Sequence, residues 1–571
     1  MNKKKKPASG LYIALAFGLL ILTAGLLIIA KKYAPTRERM ELSEVYESHF
    51  ENEAAVILNG EYMPTEETDS CAYGVILSGT PYLQLDFIKN NIDNRYVYDD
   101  SEKVLRYTTD TDIISVNIGD NTYSVGRTEE SIDAPIIEQE GAGVYLAVQF
   151  VQKYSDLGYS VESDPDRIII QLAGWEKKTA TIKKNTQIRR LGGPKSKILK
   201  DVSKGDHVIV LDEIGKWTEI MTDDGVMGYC LDKYIIDKNT ETVEAVLPER
   251  SYKHILMNEK VSMGWVQIMD KPGNVSIDSV LNKAGDGINV ISPTWFRLSD
   301  NQGGIDNIAS YDYVNKCHDM GIQVWGLVNN FDNKDISSNA VLTSASARDN
   351  LINNLIGAAV AYDMDGINVD FEFLQPADAD GFLEFIRELS VKCRNNDLVL
   401  SVDNYVPSSF HAFYDYEEQG KYADYVVIMA YDEHYSGSDD PGSVSSLGFV
   451  EKAASDMLEY VSPDQIILGM PFYYRLWITN ETGLTSSVIH MDETDSMLEK
   501  YGATTNWIDE VGQSYAEFDY EGSHYQTWIE DTRSLELKLQ VMEENNLAGA
   551  AFWKLGLEPE STWDVINEYL Q

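Results

Sequence analysis

The chain has 571 residues, of which 24% are charged, and a formal net charge of -45 at pH 7. That length exceeds what one hydrophobic core usually organises, so several domains are expected. The acidic balance excludes a nucleic-acid-binding surface and a body that clings to anionic lipid or anionic wall polymers, and it favours solubility.

In chain order, the first element is an address. Residues 3–6 are lysines, residues 11–30 carry no charge, and Lys31 and Lys32 follow. A helix rising ~1.5 Å per residue would span a bilayer over that stretch. The competing reading is a cleaved signal peptide, whose apolar region usually runs about 7–15 residues before a small-x-small site that is not clean in this sequence. Positive charge on both flanks leaves the orientation rule indecisive. The expectation is a cytoplasmic tail at 1–10, a single-pass membrane anchor at 11–30 and an acidic body outside the cell.

Residues 41–172 read as a β-rich α+β module with an internal repeat of about sixty residues. The run from Tyr82 to Lys89, then Tyr96, the acidic turn at 99–102 and residues 104–107, recurs as 145–152, Tyr159, the acidic stretch 162–166 and 168–171. Each unit predicts helix, strand, turn, strand. With Val56-Ile-Leu-Asn-Gly60, the pattern resembles the module named after the amino-terminal domain of copper amine oxidases. No copper is implied, since His49 is the only histidine there. The module reads as a stalk.

Residues 178–236 alternate apolar and polar in short runs, with turns at Lys204-Gly-Asp206 and Asp223-Asp-Gly225, as in a small β-barrel. Gly205, Trp217, Gly225, Gly228 and Tyr229 resemble those of bacterial Src-homology-3-like wall-associated domains. Trp217 and Tyr229 serve either a wall-ligand groove or the core of a spacer, and the sequence weighs these evenly. A polar linker, 237–256, follows.

From residue 257 to 571, short apolar strands alternate with helical patterns. This is the signature of βα units and a parallel sheet. Predicted strands lie at 261–268, 287–292, 323–328, 366–371, 398–402, 425–429, 465–470 and 549–553. Eight strands in this length predict a (β/α)8 (TIM) barrel with its site at the carboxyl ends of the strands. Leu351, Leu355, Ala359 and Tyr362 share one helical face before the fourth strand, with Ser344 or Ser346 as cap.

That fourth strand carries the stretch Asp365-Gly-Ile-Asn-Val-Asp-Phe-Glu372. Alternation puts Asn368, Asp370 and Glu372 on one face and Ile367, Val369 and Phe371 on the other. If the apolar row packs on helices, the acids face the inside of the barrel, where burial tunes their ionisation. The stretch resembles the Asp-Gly-x-Asp-x-Asp-x-Glu signature of family 18 glycoside hydrolases, with Asn368 where the family more often has Asp. Met429-Ala-Tyr-Asp432, Gly469-Met-Pro-Phe472 and Trp553 fit further strand ends of that family. Asn368 and the run His524-Tyr-Gln-Thr-Trp-Ile-Glu-Asp-Thr-Arg-Ser534 resemble its spore-cortex-lytic, peptidoglycan N-acetylglucosaminidase branch.

The resemblance implies a substrate-assisted retaining hydrolysis, since Asp370 and Glu372, ~6.7 Å apart along one strand face, are badly placed for a nucleophile opposite an acid. It implies Glu372 as general acid and then base, Asp370 as partner of the substrate's acetamido N–H, and Tyr431 as donor to the acetamido oxygen. It places Asn368, Asp432, Trp553, Trp265, Trp295 and Asn329 along the sugar site. Each has a blander reading: Trp and Tyr also fill barrel cores, and Asp531 reads as a helix cap. Asn368 is expected to fix the Asp370 rotamer without adding charge, so that Asp370 ionises simply.

Two functions from different classes follow. One is an anchored hydrolase of N-acetylglucosamine-containing polysaccharide, with cell-wall peptidoglycan ahead of chitin or N-glycan cores. The other is a silent glycan-binding protein, and the presence of Glu372 favours the enzyme. The eight histidines and four cysteines show no ligand or redox spacing, so no metal or cofactor is implied. Cys71, Cys230, Cys317 and Cys393 are expected as free or incidentally paired thiols.

Overall fold

The fold is taken from a computed structural model, which describes residues 9–570. Of the amino-terminal helix Ser9–Tyr33 it describes the side chains of residues 12–26, 31 and 32. Among the described residues no helix is long and apolar enough to cross a membrane. The expected span at 11–30 therefore gains no support there; residues 1–8 of the expected tail lie outside the described residues.

The chain forms two compact units. The first comprises Met1–Asn94, Val116–Tyr123 and Glu130–Glu249, and the second Arg95–Ser115, Ser124–Glu129 and Arg250–Gln571. In the first unit the repeat is visible, with one correction. The runs starting at Tyr82 and Tyr145 were expected to be helical throughout, but each begins as a strand, Thr80–Gln84 and Gly143–Ala147, before the helices Leu85–Asn91 and Val148–Tyr154. The two strands pair with each other, Tyr145 opposite Gln84 and Leu146 opposite Leu83, because burial of these alternating side chains outweighs helix propensity. Residues 176–242 make a seven-stranded antiparallel sheet around Ile182, Ile188, Val208, Val210 and Ile220. All four cysteines are buried and free.

The second unit holds the barrel. Its strands are β1 (Val261–Val266), β2 (Val290–Pro293), β3 (Gln323–Asn329), β4 (Gly366–Asp370), β5 (Val399–Tyr405), β6 (Tyr425–Met429), β7 (Ile466–Pro471) and β8 (Gly549–Trp553). They pair in parallel in chain order, and the β8–β1 and β2–β3 pairings close the ring. Every expected strand is present within a few residues of its predicted limits. The faces of β4 separate as alternation requires: Ile367, Val369 and Phe371 join the core between strands and helices, while a separate core of Trp265, Trp325, Leu327 and Val427 fills the interior. A five-stranded antiparallel sheet between β7 and β8, from Tyr473 to Ile529, was not anticipated from the sequence.

Helix α1 (Ala345–Tyr362) is capped by Ser344, whose hydroxyl accepts from the Ala347 amide, and ends at Asp363 with φ of 61°. Helix α2 (Ala379–Arg394) follows β4 and buries Glu384, Arg387 and Glu388. The hairpin Val97–Asp99 and Val104–Thr108 belongs to the second unit and serves these helices. Asp99 Oδ2 accepts from the Ala345 amide at 2.9 Å, and Thr108 Oγ1 donates to Glu384 Oε1 at 2.7 Å. Arg106 pairs with Asp349.

Within this acid cluster Arg348 Nε donates to Glu388 Oε2 at 3.2 Å, both side chains being fully buried. Replacing Arg348 by Met leaves Glu388 buried without its main cation, a change that usually costs about 3–5 kcal/mol. Urea denaturation of R348M is expected to show a lower midpoint; a midpoint equal to wild type would mean the pair contributes nothing net.

Candidate active site

β4 delivers its inward row to the mouth of the barrel. Asn368, fully buried, is bonded on every side. Its Oδ1 accepts from Trp265 Nε1 at 3.1 Å and Ser292 Oγ at 2.9 Å, while its Nδ2 donates to Ser401 Oγ at 2.9 Å and Asp403 Oδ1 at 2.7 Å. These partners come from β1, β2 and β5. None of them is Asp370, so the expectation that Asn368 fixes the Asp370 rotamer is corrected.

The expectation of simple ionisation is corrected with it. Asp370 is 6% exposed, and its Oδ1 is buried without a hydrogen-bond partner. Burial pushes its pKa well above the ordinary carboxylate range, and the charges of Asp403, Glu372 and Asp332 add to this. The second carboxylate beside Asp370 is present after all, on β5 rather than at position 368. Asp403 is itself pushed up to about 8, mainly by burial, against the opposing bond from Asn368.

Glu372 stands just past the end of β4. Tyr405, at the end of β5, donates its hydroxyl to Glu372 Oε2 at 2.7 Å. Asn330 clips the backbone, donating Nδ2 to the Glu372 carbonyl and accepting the Glu372 amide, both at 2.8 Å. Burial raises the Glu372 pKa, the Tyr405 bond opposes the rise and Asp432 adds to it. The net direction keeps a carboxyl protonated nearer neutral pH, as a general acid requires. The next residue, Phe373, has φ of 57° and is exposed, so the chain turns sharply away and leaves the acid at the rim.

The remaining expected residues divide. Tyr431 and Trp553 are half-buried and flank Trp265, with ring centroids 6.5 and 6.0 Å from it. Trp265 itself is buried beneath them and acts on the site through Asn368. Asp432, at φ of 57°, is exposed and accepts the Tyr473 hydroxyl at 2.6 Å. Asn329 is buried and donates to Asp332 Oδ2 at 3.2 Å, shaping the turn after β3.

Trp295 is not at the site, and its expected sugar contact is corrected. It is 0% exposed in the core behind the strands, edge-on to Tyr313 and donating to Asn274 Oδ1 at 2.8 Å. Asp531 caps α3 (Thr532–Glu544), as its position before a helix suggested.

Sequence reasoning missed Asn330, Asp403, Tyr405 and Tyr473. Ser401, Asp403 and Tyr405 carry the same two-residue alternation as the β4 motif. The signal was lost because β5 was predicted to stop at 402, whereas it runs to Tyr405.

The carboxyl mouth of the (β/α)8 barrel thus gathers buried acids, with Glu372 held at a strand end and its pKa raised. Residues 283–558, just under half of the chain, match the model of Glycosyl hydrolases family 18, and with the relatives that follow this supports a glycosidase. The chain is 25% identical over 309 residues to the uncharacterized glycosylase YvbX of Bacillus subtilis, covering 52% of this chain and 89% of that protein. It is 26% identical over 254 residues to the cortical fragment-lytic enzyme of Bacillus anthracis, covering 42% of this chain but only 59% of that enzyme. The fold is also that of the spore cortex-lytic enzyme SleL of Bacillus cereus, with a TM-score of 0.51 and 21% identity over 58% of this chain and 79% of that one.

Replacing Tyr405 by Phe removes a hydroxyl that favours ionised Glu372. A hydrogen bond to a charged group contributes roughly 1.5–3 kcal/mol, so the alkaline limb of the pH–rate profile is expected to move up by about one pH unit. Turnover of N-acetylglucosamine oligomers between pH 4 and 10 checks this, and a downward shift would contradict it.

Proposed function

We propose that this protein cleaves β-1,4 bonds at N-acetylglucosamine residues of cell-wall peptidoglycan by a substrate-assisted, retaining mechanism. The observation that carries the reading is the pairing of a protonatable Glu372, held by Tyr405, with a buried Asp370 whose Oδ1 has no partner. Glu372 donates its proton to the glycosidic oxygen as the substrate's acetamido oxygen attacks the anomeric carbon and the leaving chain departs. Asp370 accepts the acetamido N–H and faces the positive charge of the resulting oxazolinium ring, while Tyr431 donates to the acetamido oxygen. The Glu372 carboxylate then takes a proton from water, which opens the ring at the anomeric carbon with retained configuration. Trp553 and Asp432 line the sugar, supported by Trp265 and Tyr473.

Peptidoglycan is favoured over chitin because relatives are named for lysis of cortical fragments and because modules that resemble wall-associated ones precede the barrel. In this reading residues 11–30, uncharged between lysine clusters, anchor the protein in the cell membrane. The repeat module is a stalk, and the seven-stranded sheet is an Src-homology-3-like spacer or wall-binding domain. The catalytic unit then works outside the cell. Chitin or N-glycan cleavage is the enzymatic alternative, and glycan binding without turnover the non-enzymatic one.

The test is incubation of residues 34–571, and of the Glu372→Gln variant, with peptidoglycan and with chitin oligomers, followed by mass spectrometry of new reducing ends. Wild type is expected to release N-acetylglucosamine reducing ends from peptidoglycan, with the variant down roughly 10²–10⁴-fold. New ends from neither polymer would support the binding protein, and ends from chitin alone the chitinase.

A further inference from the structure

We propose that Asp403 on β5 is the proton-sharing partner of Asp370, a positioning residue that keeps Asp370 able to accept the substrate's acetamido N–H. The proposal rests on the reading of Asp370 given above and adds to it a residue from a different strand.

Register carries the argument. β4 and β5 are parallel, with Asn368 opposite Ser401 and Val369 opposite Val402, so the next step sets Asp370 beside Asp403. Neighbouring strands lie about 4.8 Å apart and paired residues share a face. Both acids face inward, since Asn368, two residues before Asp370, donates to Ser401 and Asp403. Asp403 is 2% exposed and pinned by that bond. Two carboxyls so placed in a dry site hold one proton between them, and their titrations belong to the pair.

The groups acting on this pair are themselves mostly acidic. Glu372 acts on both. Asp332, after β3, acts on Asp370 and is itself 3.8 Å from the Arg297 guanidinium. Tyr431 borders the pair from just past β6, and Asp432 reaches it through Glu372. Anionic surroundings disfavour a doubly ionised pair and leave one proton in place.

The proton budget then closes within the reaction. When the acetamido N–H reaches Asp370 it favours the carboxylate there, so the shared proton passes to Asp403 and Asp370 faces the oxazolinium cation as an anion. No proton enters or leaves the pair as the glycosidic bond breaks and the ring forms, and the only proton transferred to the leaving oxygen is that of Glu372. Asn368 is the counterpart of this arrangement, since its amide donates to Asp403 where a second strand-four acid would repel it.

The exchange of positions makes a test. Full-length wild type, Asp403→Asn, and the double variant Asn368→Asp with Asp403→Asn are compared by pH–rate profiles on N-acetylglucosamine oligomers. Binding of a thiazoline mimic of the oxazolinium is measured in parallel by calorimetry. Asp403→Asn can keep the bond to position 368 yet removes the proton store, so the acid limb of kcat/KM is expected to move down by about one pH unit or more. The double variant restores a carboxylate–amide pair across the same 2.7 Å contact, and its profile is expected to return toward wild type.

Melting curves guard against misfolding and carry their own sign. Asp403 is held near 8 in the folded chain against about 3.9 when unfolded. The folded state thus binds more protons between those values, and wild type loses stability as pH rises through that window. The melting temperature of Asp403→Asn relative to wild type should climb from pH 5 to pH 9. An active wild type whose acid limb is unchanged in Asp403→Asn, or a double variant no nearer wild type than the single one, overturns the proposal alone. A wild type that neither cleaves nor binds the thiazoline overturns the underlying reading and the proposal with it.

Discussion

The amide of Asn368 ties four strands of the barrel together and sets the conditions for everything above it. It accepts from Trp265 on β1 and Ser292 on β2 and donates to Ser401 and Asp403 on β5. A buried amide with both donors and both acceptor lone pairs engaged contributes order at little desolvation cost, whereas any unmade bond there would cost roughly 1–3 kcal/mol. Trp265 is thereby fixed under Tyr431 and Trp553, and Asp403 is fixed beside Asp370. A carboxylate at 368 could keep the accepting bonds but would lose the donation to Asp403.

Above that tie the site is governed by like charges in a dry space. Asp370, Glu372 and Asp403 all have raised pKa values, and burial is the first cause in each. Their differences come from their neighbours: Glu372 has the Tyr405 hydroxyl to moderate it, Asp403 has the Asn368 amide, and Asp370 Oδ1 has no partner. Three buried carboxyls in one site are thus set apart by hydrogen bonding rather than by residue type.

The barrel was legible because its strands are short apolar runs bounded by helical periodicity, and the β4 motif because its alternation separates acids from Ile367, Val369 and Phe371. Contacts across strands were not legible in that way. Asn368 was paired with its sequence neighbour Asp370, although residues two apart on a strand are farther from each other than residues opposite on adjacent strands. Asp403 and Tyr405 fell beyond the predicted end of β5 by one and three residues. Trp295 looked like a strand-end aromatic, but the chain turns there and sends its ring into the helix-side core against Tyr313. The hairpin 97–108 was read as part of a stalk because it repeats the pattern of 157–172; the bonds of Asp99, Arg106 and Thr108 to the barrel helices place it in the second unit.

The central claim is that Asp370 orients the substrate's own acetamido group as the nucleophile, which requires retention at the anomeric carbon. Proton NMR of an N-acetylglucosamine oligomer during the first minutes of hydrolysis by wild-type protein measures this directly, before mutarotation mixes the anomers. The account predicts that the β-anomer of the new reducing end appears first; an α-anomer appearing first would contradict it.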